Sequence, residues 1–223
     1  MAIYSHPLWA LLAGCLLAFL GAGVNACFLF QFGTSVSHLT GDVSKVALEI
    51  AYNKAHLSIS ALELCSATIG FVLGAAIAGY SIHHPTVAIT RPYGRTILTI
   101  AVCLLIAYWT FTTYTVISIG IAAVACGLQN ALATHYRGVI LRTTHVTGLL
   151  TDLGTHFGMF VRGHHIAPWK LWVPFLIVIT FFSGAILGCI IFARIGPNTL
   201  IGYSVAYLII GSGLFFLQLM HTE

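Results

Sequence analysis

The chain has 223 residues, of which 59% are hydrophobic and only 6% charged, with a formal net charge of +4. Soluble domains carry about a quarter charged residues, which excludes an ordinary water-soluble enzyme, a disordered segment and a nucleic-acid-binding domain. No Asp, Glu, Lys or Arg occurs in 1–41, 64–90, 96–136, 171–193 or 195–222, and a helix crosses the hydrocarbon core with roughly 20 apolar residues.

In chain order, the apolar runs predict six full transmembrane helices at about 8–32, 57–80, 96–112, 116–132, 171–193 and 200–219. The runs are continuous rather than alternating, which argues against barrel strands. The charge-free run 96–136 is too long for one helix and is read as a hairpin turning at Thr112-Thr113-Tyr114-Thr115. Leu12-Ala13-Gly14-Cys15 resembles a lipoprotein cleavage box. No Lys or Arg precedes it and the apolar run continues beyond Cys15, so the run is read as a retained span. Two segments of mixed polarity, 41–52 and 148–161, follow the first and fourth spans. Each measures roughly 20 Å as a helix, too short for a crossing. The expected fold class is an all-α polytopic membrane protein. It has six full transmembrane helices plus two short re-entrant or half-spanning helices, in a single membrane domain over 1–223. The six cysteines lie inside apolar runs without a CxxC pair and are read as packing residues.

One motif occurs twice. Ser37-His38-Leu39-Thr40-Gly41 reappears as Thr144-His145-Val146-Thr147-Gly148, 107 positions later. Each copy follows an apolar span carrying a polar Asn near its end, Asn25 and Asn130, and leads through a short segment into two more spans. The chain is read as a duplication, with repeat one about 8–112 and repeat two about 116–219. Three full spans per unit place the second copy upside down, the inverted arrangement of transporters whose sites lie at the repeat interface. Four crossings per unit would instead make the repeats parallel. With six spans, Arg91, Arg95, Arg137, Arg142, Arg162 and Lys170 gather on one side and Lys45, Lys54 and Arg194 on the other. The positive-inside rule then puts both termini in the cytoplasm.

The two motifs are candidate binding elements. Thr40-Gly41-Asp42 and Thr147-Gly148 have the character of helix starts, where Thr caps free N–H groups and Gly permits close approach. Helix starts at membrane depth suit an anion and are tolerated there only inside protein or beside a wet cavity. The alternative is that Thr and Gly merely let helices break and pack. Ten of the fourteen charged residues fall in 42–63 and 137–170, around the two short segments. The candidate substrate-binding set is Asn25, His38, Thr40, Gly41, Asp42, Asn130, Arg142, Thr144, His145, Thr147, Gly148 and Asp152. The repeat offset sets Lys45 against Asp152 and Glu49 against His156, which predicts pairing between the repeats. Arg142 suits bidentate contact with an anion, or pairing with Asp152 or Glu63, or a headgroup position. Glu63, inside the second span, is either a proton-coupling acid or an interfacial carboxylate. His83-His84 and His164-His165 flank spans, and no HExxH or Cys/His spacing points to a metal. Gly70/Gly74 and Gly184/Gly188 form GxxxG pairs that serve packing within the chain or a homo-oligomer. No nucleophile constellation, nucleotide loop or cofactor motif is present, so an enzyme is disfavoured.

Asn130 to Gly154, with Arg142-Thr143-Thr144-His145-Val146-Thr147-Gly148 and Thr151-Asp152-Leu153-Gly154, resembles the second-half signature of the YoaK-like membrane proteins, a family of unknown function. The resemblance covers nearly the whole chain. Its first half departs from the family pattern, with Thr40-Gly41-Asp42 where the family typically shows Thr-Gly-Asn. It implies a compact bacterial inner-membrane protein and supplies no substrate, reaction or catalytic residue. Two functions follow from the residues. One is a small-solute transporter with a central polar site, its substrate a small organic anion. The other is a membrane scaffold or regulatory subunit whose motif is structural. The lipid bilayer is the partner common to both.

Overall fold

The structure, a computed structural model, describes residues 7–52, 57–82, 93–132, 134–136, 139–141 and 144–220. Eight helices follow in order: α1 (Pro7–Phe32), α2 (Leu39–Ala51), α3 (Leu57–Ser81), α4 (Tyr93–Thr110), α5 (Thr115–Ala131), α6 (Val146–Val161), α7 (Trp169–Ile195) and α8 (Asn198–Met220). A small antiparallel hairpin, β1 (Thr134–Tyr136) with β2 (Val139–Leu141), lies between α5 and α6. Five helices, α1, α3, α4, α7 and α8, are long and apolar enough to cross a membrane. The sixth expected span, α5, is a shorter apolar helix of 17 residues that extends about 25 Å. The expected turn is found where Thr110 ends α4 and Thr115 begins α5.

The long helices remain apolar on their outer faces, where Ile69, Val72 and Leu73 of α3 and Trp172, Phe182 and Ile186 of α7 are exposed. These faces require lipid rather than water. Two helix ends are set by glycine. Gly33 (φ 66°) ends α1 and Gly196 (φ 59°) ends α7, each donating its N–H back to the residue four before it, Leu29 and Phe192. Glycine reaches these left-handed angles without a Cβ penalty.

Close packing fixes the helix directions. Helices α3 and α5 run parallel, with Ser66 Oγ donating to Val116 O at 2.7 Å. One and two turns on, Gly70 lies against Gly120 O and Gly74 against Val124 O. Helices α1 and α7 are also parallel, with Gly184 against Phe19 and Gly188 against Gly23. Both GxxxG pairs therefore pack inside the chain, where only a hydrogen fits between the backbones. Helices α4 and α8 are antiparallel, since Gly94 meets Gly211 and Phe215, Ser204 Oγ donates to Ala101 O and Tyr108 Oη to Asn198 Oδ1. Helix α5 runs against α4 (Ser118 Oγ to Ala107 O, 2.7 Å), and α8 against α7, where Tyr203 reaches Gly188. Thus α1, α4 and α7 run one way and α3, α5 and α8 the other.

The main core joins α1, α4, α5 and α8 through Val24, Phe28, Ile100, Leu104, Ile119 and Tyr207. A buried polar tie crosses it. Gln129 of α5 donates Nε2 to Leu17 O of α1 at 2.8 Å and accepts at Oε1 from Tyr207 of α8. Gly21 leaves the space that Gln129 occupies. Lipid tails supply no hydrophobic drive between helices, so such close packing and hydrogen bonds hold the bundle.

Candidate functional site

Asn25 lies seven residues before the end of α1. Its Oδ1 accepts from Ser35 Oγ (2.6 Å), Val36 N (3.0 Å) and Ser37 N (3.0 Å). The chain leaving α1 is therefore held back along the helix it has just left. Ser35 Oγ in turn accepts the N–H of His38 at 2.7 Å, and His38 is the N-cap residue of α2. Helix α2 then climbs back beside that loop. Asp42 Oδ2 accepts from Ser35 N at 2.8 Å and Lys45 Nζ donates to Gly33 O at 3.0 Å. The later helical residue thus meets the earlier loop residue, so the first turns of α2 run back along the loop. Thr34 Oγ1 donates to Glu63 Oε2 of α3 at 2.5 Å. Asp42, Glu49 and Glu63 are only 6%, 9% and 7% exposed, a burial that costs several kcal/mol for any carboxylate left charged and unpaired.

The second copy repeats the Asn device in a simpler form. Asn130 Oδ1 accepts from Thr144 Oγ1 at 2.7 Å, and His145 is the N-cap residue of α6. The imidazole of His145 folds over the helix start into space that a side chain at Gly148 would fill. Helix α6 then buries Val146 and Leu149 against Val173, Ile177 and Phe181 of α7 and Ala18 and Ala22 of α1.

The two motifs approach each other at Phe181. The His38 ring meets Phe181 edge-on, with centroids 5.3 Å apart, and Phe181 belongs to the cluster that seats Val146. Phe181 lies twelve residues from one end of α7 and fourteen from the other, or about 18 to 21 Å from each. Burial first, and the nearby His145 second, hold the His38 imidazole below its ordinary proton affinity. Its Nε2 and the Ser37 hydroxyl are buried without hydrogen-bond partners. For Asp42, burial raises the pKa above its ordinary value, opposed by the Ser35 N–H and Lys45 and reinforced by Glu63.

Of the residues singled out in the sequence, the structure brings Asn25, His38, Asp42, Asn130, Thr144, His145 and Gly148 into these two junctions. Thr40, Gly41 and Thr147 are exposed. The expectation that these Thr residues cap the helices is corrected. Both helices begin one residue before the Thr, and neither N-cap has a side-chain cap bond. In the first copy Asn25 and Ser35 accept the N–H groups of Val36, Ser37 and His38, in the loop ahead of the helix. The expected Lys45–Asp152 and Glu49–His156 pairs are not formed among the described residues. Helix α2 packs on α3 and α6 on α7, Lys45 is bound to Gly33 O, and Asp152 is exposed. His156 Nδ1 hydrogen-bonds the Asp152 carbonyl on its own helix at 2.7 Å. Arg142 lies outside the described residues, as do Lys54, His83, His84, Arg91 and Arg137. Reading the sequence missed Thr34, Ser35 and Phe181. The polar run Gly33-Thr34-Ser35 directly after an apolar span was a usable signal; Phe181, one of fourteen Phe, carried none.

Among the described residues, no group of three His, Cys, Asp or Glu is placed to hold a metal ion. A separate open cleft of about 500 Å³ lies where α3 ends and α4 begins, lined by Tyr80, Ser81, Arg95 and Thr96. It shares no residue with the motifs.

No curated protein and no solved structure matches the chain. Residues 13–213 match a family described as a protein of unknown function, DUF1275. That match takes in all of the five candidate membrane helices except a few terminal residues, together with both motifs, so the chain belongs to the DUF1275 family.

Proposed function

We propose that this membrane protein is a YoaK-like small-solute transporter of the bacterial inner membrane, with six crossings, inverted repeats and cytoplasmic termini. The inverted arrangement is supported by helix direction. Helices α1 and α5, α3 and α7, and α4 and α8 are counterparts in the two repeats, and the members of each pair run in opposite senses. The α3–α5 contact is the repeat image of α7–α1, as a two-fold axis requires, and both use glycine at the closest approach. Interrupted helices meeting at a repeat interface are the usual seat of a transport site.

The observation that carries the reading is the approach of the two motifs, 107 positions apart, at Phe181 halfway along α7: the His38 ring meets Phe181, Val146 packs in the same cluster, and His145 lies near enough to act on His38. Two imidazoles and two helix starts, with a buried and unpartnered His38 Nε2, suit a small organic anion. Uptake and efflux across a metabolite panel, in vesicles reconstituted with the wild type, His145→Ala and Thr144→Val, test the reading. Movement of at least one solute by the wild type, reduced in both variants, is the expected result. No movement of any solute, or wild-type rates in both variants, overturns it. The scaffold reading is favoured by one fact: Asn25 and Asn130 both direct Oδ1 to groups of their own loop. In that case the vesicles move nothing.

A further inference from the structure

The two repeats build the same interface from different chemistry. Where α6 meets α7, Val146, Leu149, Val173, Ile177 and Phe181 form an apolar cluster. Aligning the motifs sets Leu149 against Asp42, and aligning Gly184/Gly188 with Gly70/Gly74 sets Ile177 against Glu63. The corresponding α2–α3 interface therefore holds carboxylates where its image holds Leu and Ile. The second repeat is an internal control: this interface is built without buried acids, so packing alone does not account for them. Asp42 and Glu49, two helical turns apart, are the two buried residues of α2 and share the face turned to α3. Glu49 Oε2 is buried on that face without a partner.

We propose that Asp42, Glu49 and Glu63 form a proton-binding site, and that proton uptake there drives solute movement through the motif site. The coupling half rests on the transport reading above; the proton site does not.

The groups facing the site favour a proton over a metal cation. From the loop, Thr34 O–H and Ser35 N–H donate into Glu63 and Asp42, and among the described residues no group of three His, Cys, Asp or Glu is placed to hold a metal ion. Gly33 O, the nearby carbonyl, accepts from Lys45 Nζ, so an ammonium already sits beside the carboxylates. Helix α1 contributes Asn25, which does not titrate; among the described residues the further titratable groups are His38, linked to Asp42 through Ser35, and His145 beside it. Each proton is taken from water onto a carboxylate oxygen and returned to water, with no other bond changed. Its effect reaches the motif through Ser35, whose N–H is held by Asp42 and whose Oγ holds the N–H of His38. Protonating Asp42 turns a charge-assisted bond into a weaker neutral one and loosens the loop that positions His38. Burial raises the Asp42 pKa above its ordinary value, which favours proton uptake there.

Infrared difference spectra of the full-length protein in lipid, recorded between acid and alkaline buffer, test the proton site directly. The expected result is a protonated-carboxyl band that titrates above the ordinary range of about 4. That band is lost in Asp42→Asn, altered in Glu49→Gln and Glu63→Gln, and retained in Asp42→Glu. A band confined to the ordinary range, or one unchanged in Asp42→Asn, overturns the site. Retention of the band in Asp42→Glu separates a lost proton from a misfolded protein. Coupling is tested by imposing a pH gradient on vesicles. Glu63→Gln is expected to lose gradient-driven accumulation at least tenfold, with a clearly smaller loss of solute exchange. Accumulation and exchange changed equally, or neither changed, overturns the coupling. If no solute moves in the wild type, the transport reading fails and the coupling with it, while the infrared titration still decides the proton site.

Discussion

Asn25→Ala should destabilise the protein more than Asn130→Ala, although the two residues hold the same place in the repeat. Removing the Asn25 side chain takes the acceptor from three donors at once, Ser35 Oγ, Val36 N and Ser37 N. Ser37 N keeps a longer bond to Ser35 Oγ at 3.4 Å, and the Ser35 hydroxyl is free to rotate. The Val36 N–H has no alternative, and Val36 is fully buried. One orphaned buried donor costs about 1–3 kcal/mol and each net bond lost about 0.5–1.5 kcal/mol, so Asn25→Ala should cost about 2–4 kcal/mol. Asn130→Ala removes one bond to a rotatable Thr144 hydroxyl and should cost about 1 kcal/mol. For a chain of this length each kcal/mol moves the midpoint by about 2–4 °C. Thermal unfolding in detergent should thus show a drop of about 5–15 °C for the first variant and a few degrees for the second. Ser35→Ala added to Asn25→Ala should cost less than in the wild type, because the pair shares a bond. Equal losses for Asn25→Ala and Asn130→Ala would refute the claim that the α1 loop is held by Asn25.

Three further outcomes follow from the packing and the charges. Gly74→Ala drives a methyl group into the Val124 carbonyl, whereas Gly41 has open space around it. The first should cost about 1–3 kcal/mol and the second should be neutral or gain up to about 1 kcal/mol from helix propensity, both read by thermal unfolding. His38 binds a proton less readily than its ordinary value of 6.5, so the unfolded chain takes up the extra proton as pH falls. Its contribution to stability is complete above about 6.5 and is lost as pH drops through the lowered value; His38→Gln should flatten the acid limb of a plot of Tm against pH. Lys45→Ala and Asp152→Ala should be additive in a double-mutant cycle, since Lys45 bonds Gly33 O and Asp152 is exposed. A coupling energy above about 0.5 kcal/mol would restore the direct pair.

The helix pattern was largely legible in the sequence. The expected runs 57–80 and 171–193 agree with α3 and α7 to within two residues, and α7 reaches at both ends past the charges Lys170 and Arg194. Those charges extend the helix because long basic side chains reach water from an interfacial turn. The motif histidines were legible as well, through their repetition. Their partners were not. Opposite charges at Lys45 and Asp152 suggested a contact because the repeat offset ignores which helix each short segment packs against. Glu63 was visible as an acid in an apolar run, but its tie to Thr34 depends on a loop folded back by Asn25, which no spacing in the sequence reports.

Membrane residence, helix positions and the twice-occurring motif are properties of the sequence alone, because hydropathy, length and repetition depend only on residues close together in the chain or on their comparison. The direction in which each helix meets its neighbour was decided by the tertiary structure. It turns on Gly70, Gly74, Gly184 and Gly188, where the absence of a side chain lets one backbone settle against another far away in sequence. Packing likewise decides that the carboxylates of Asp42, Glu49 and Glu63 are buried, since burial, and with it the cost of a charge, exists only after the helices have packed.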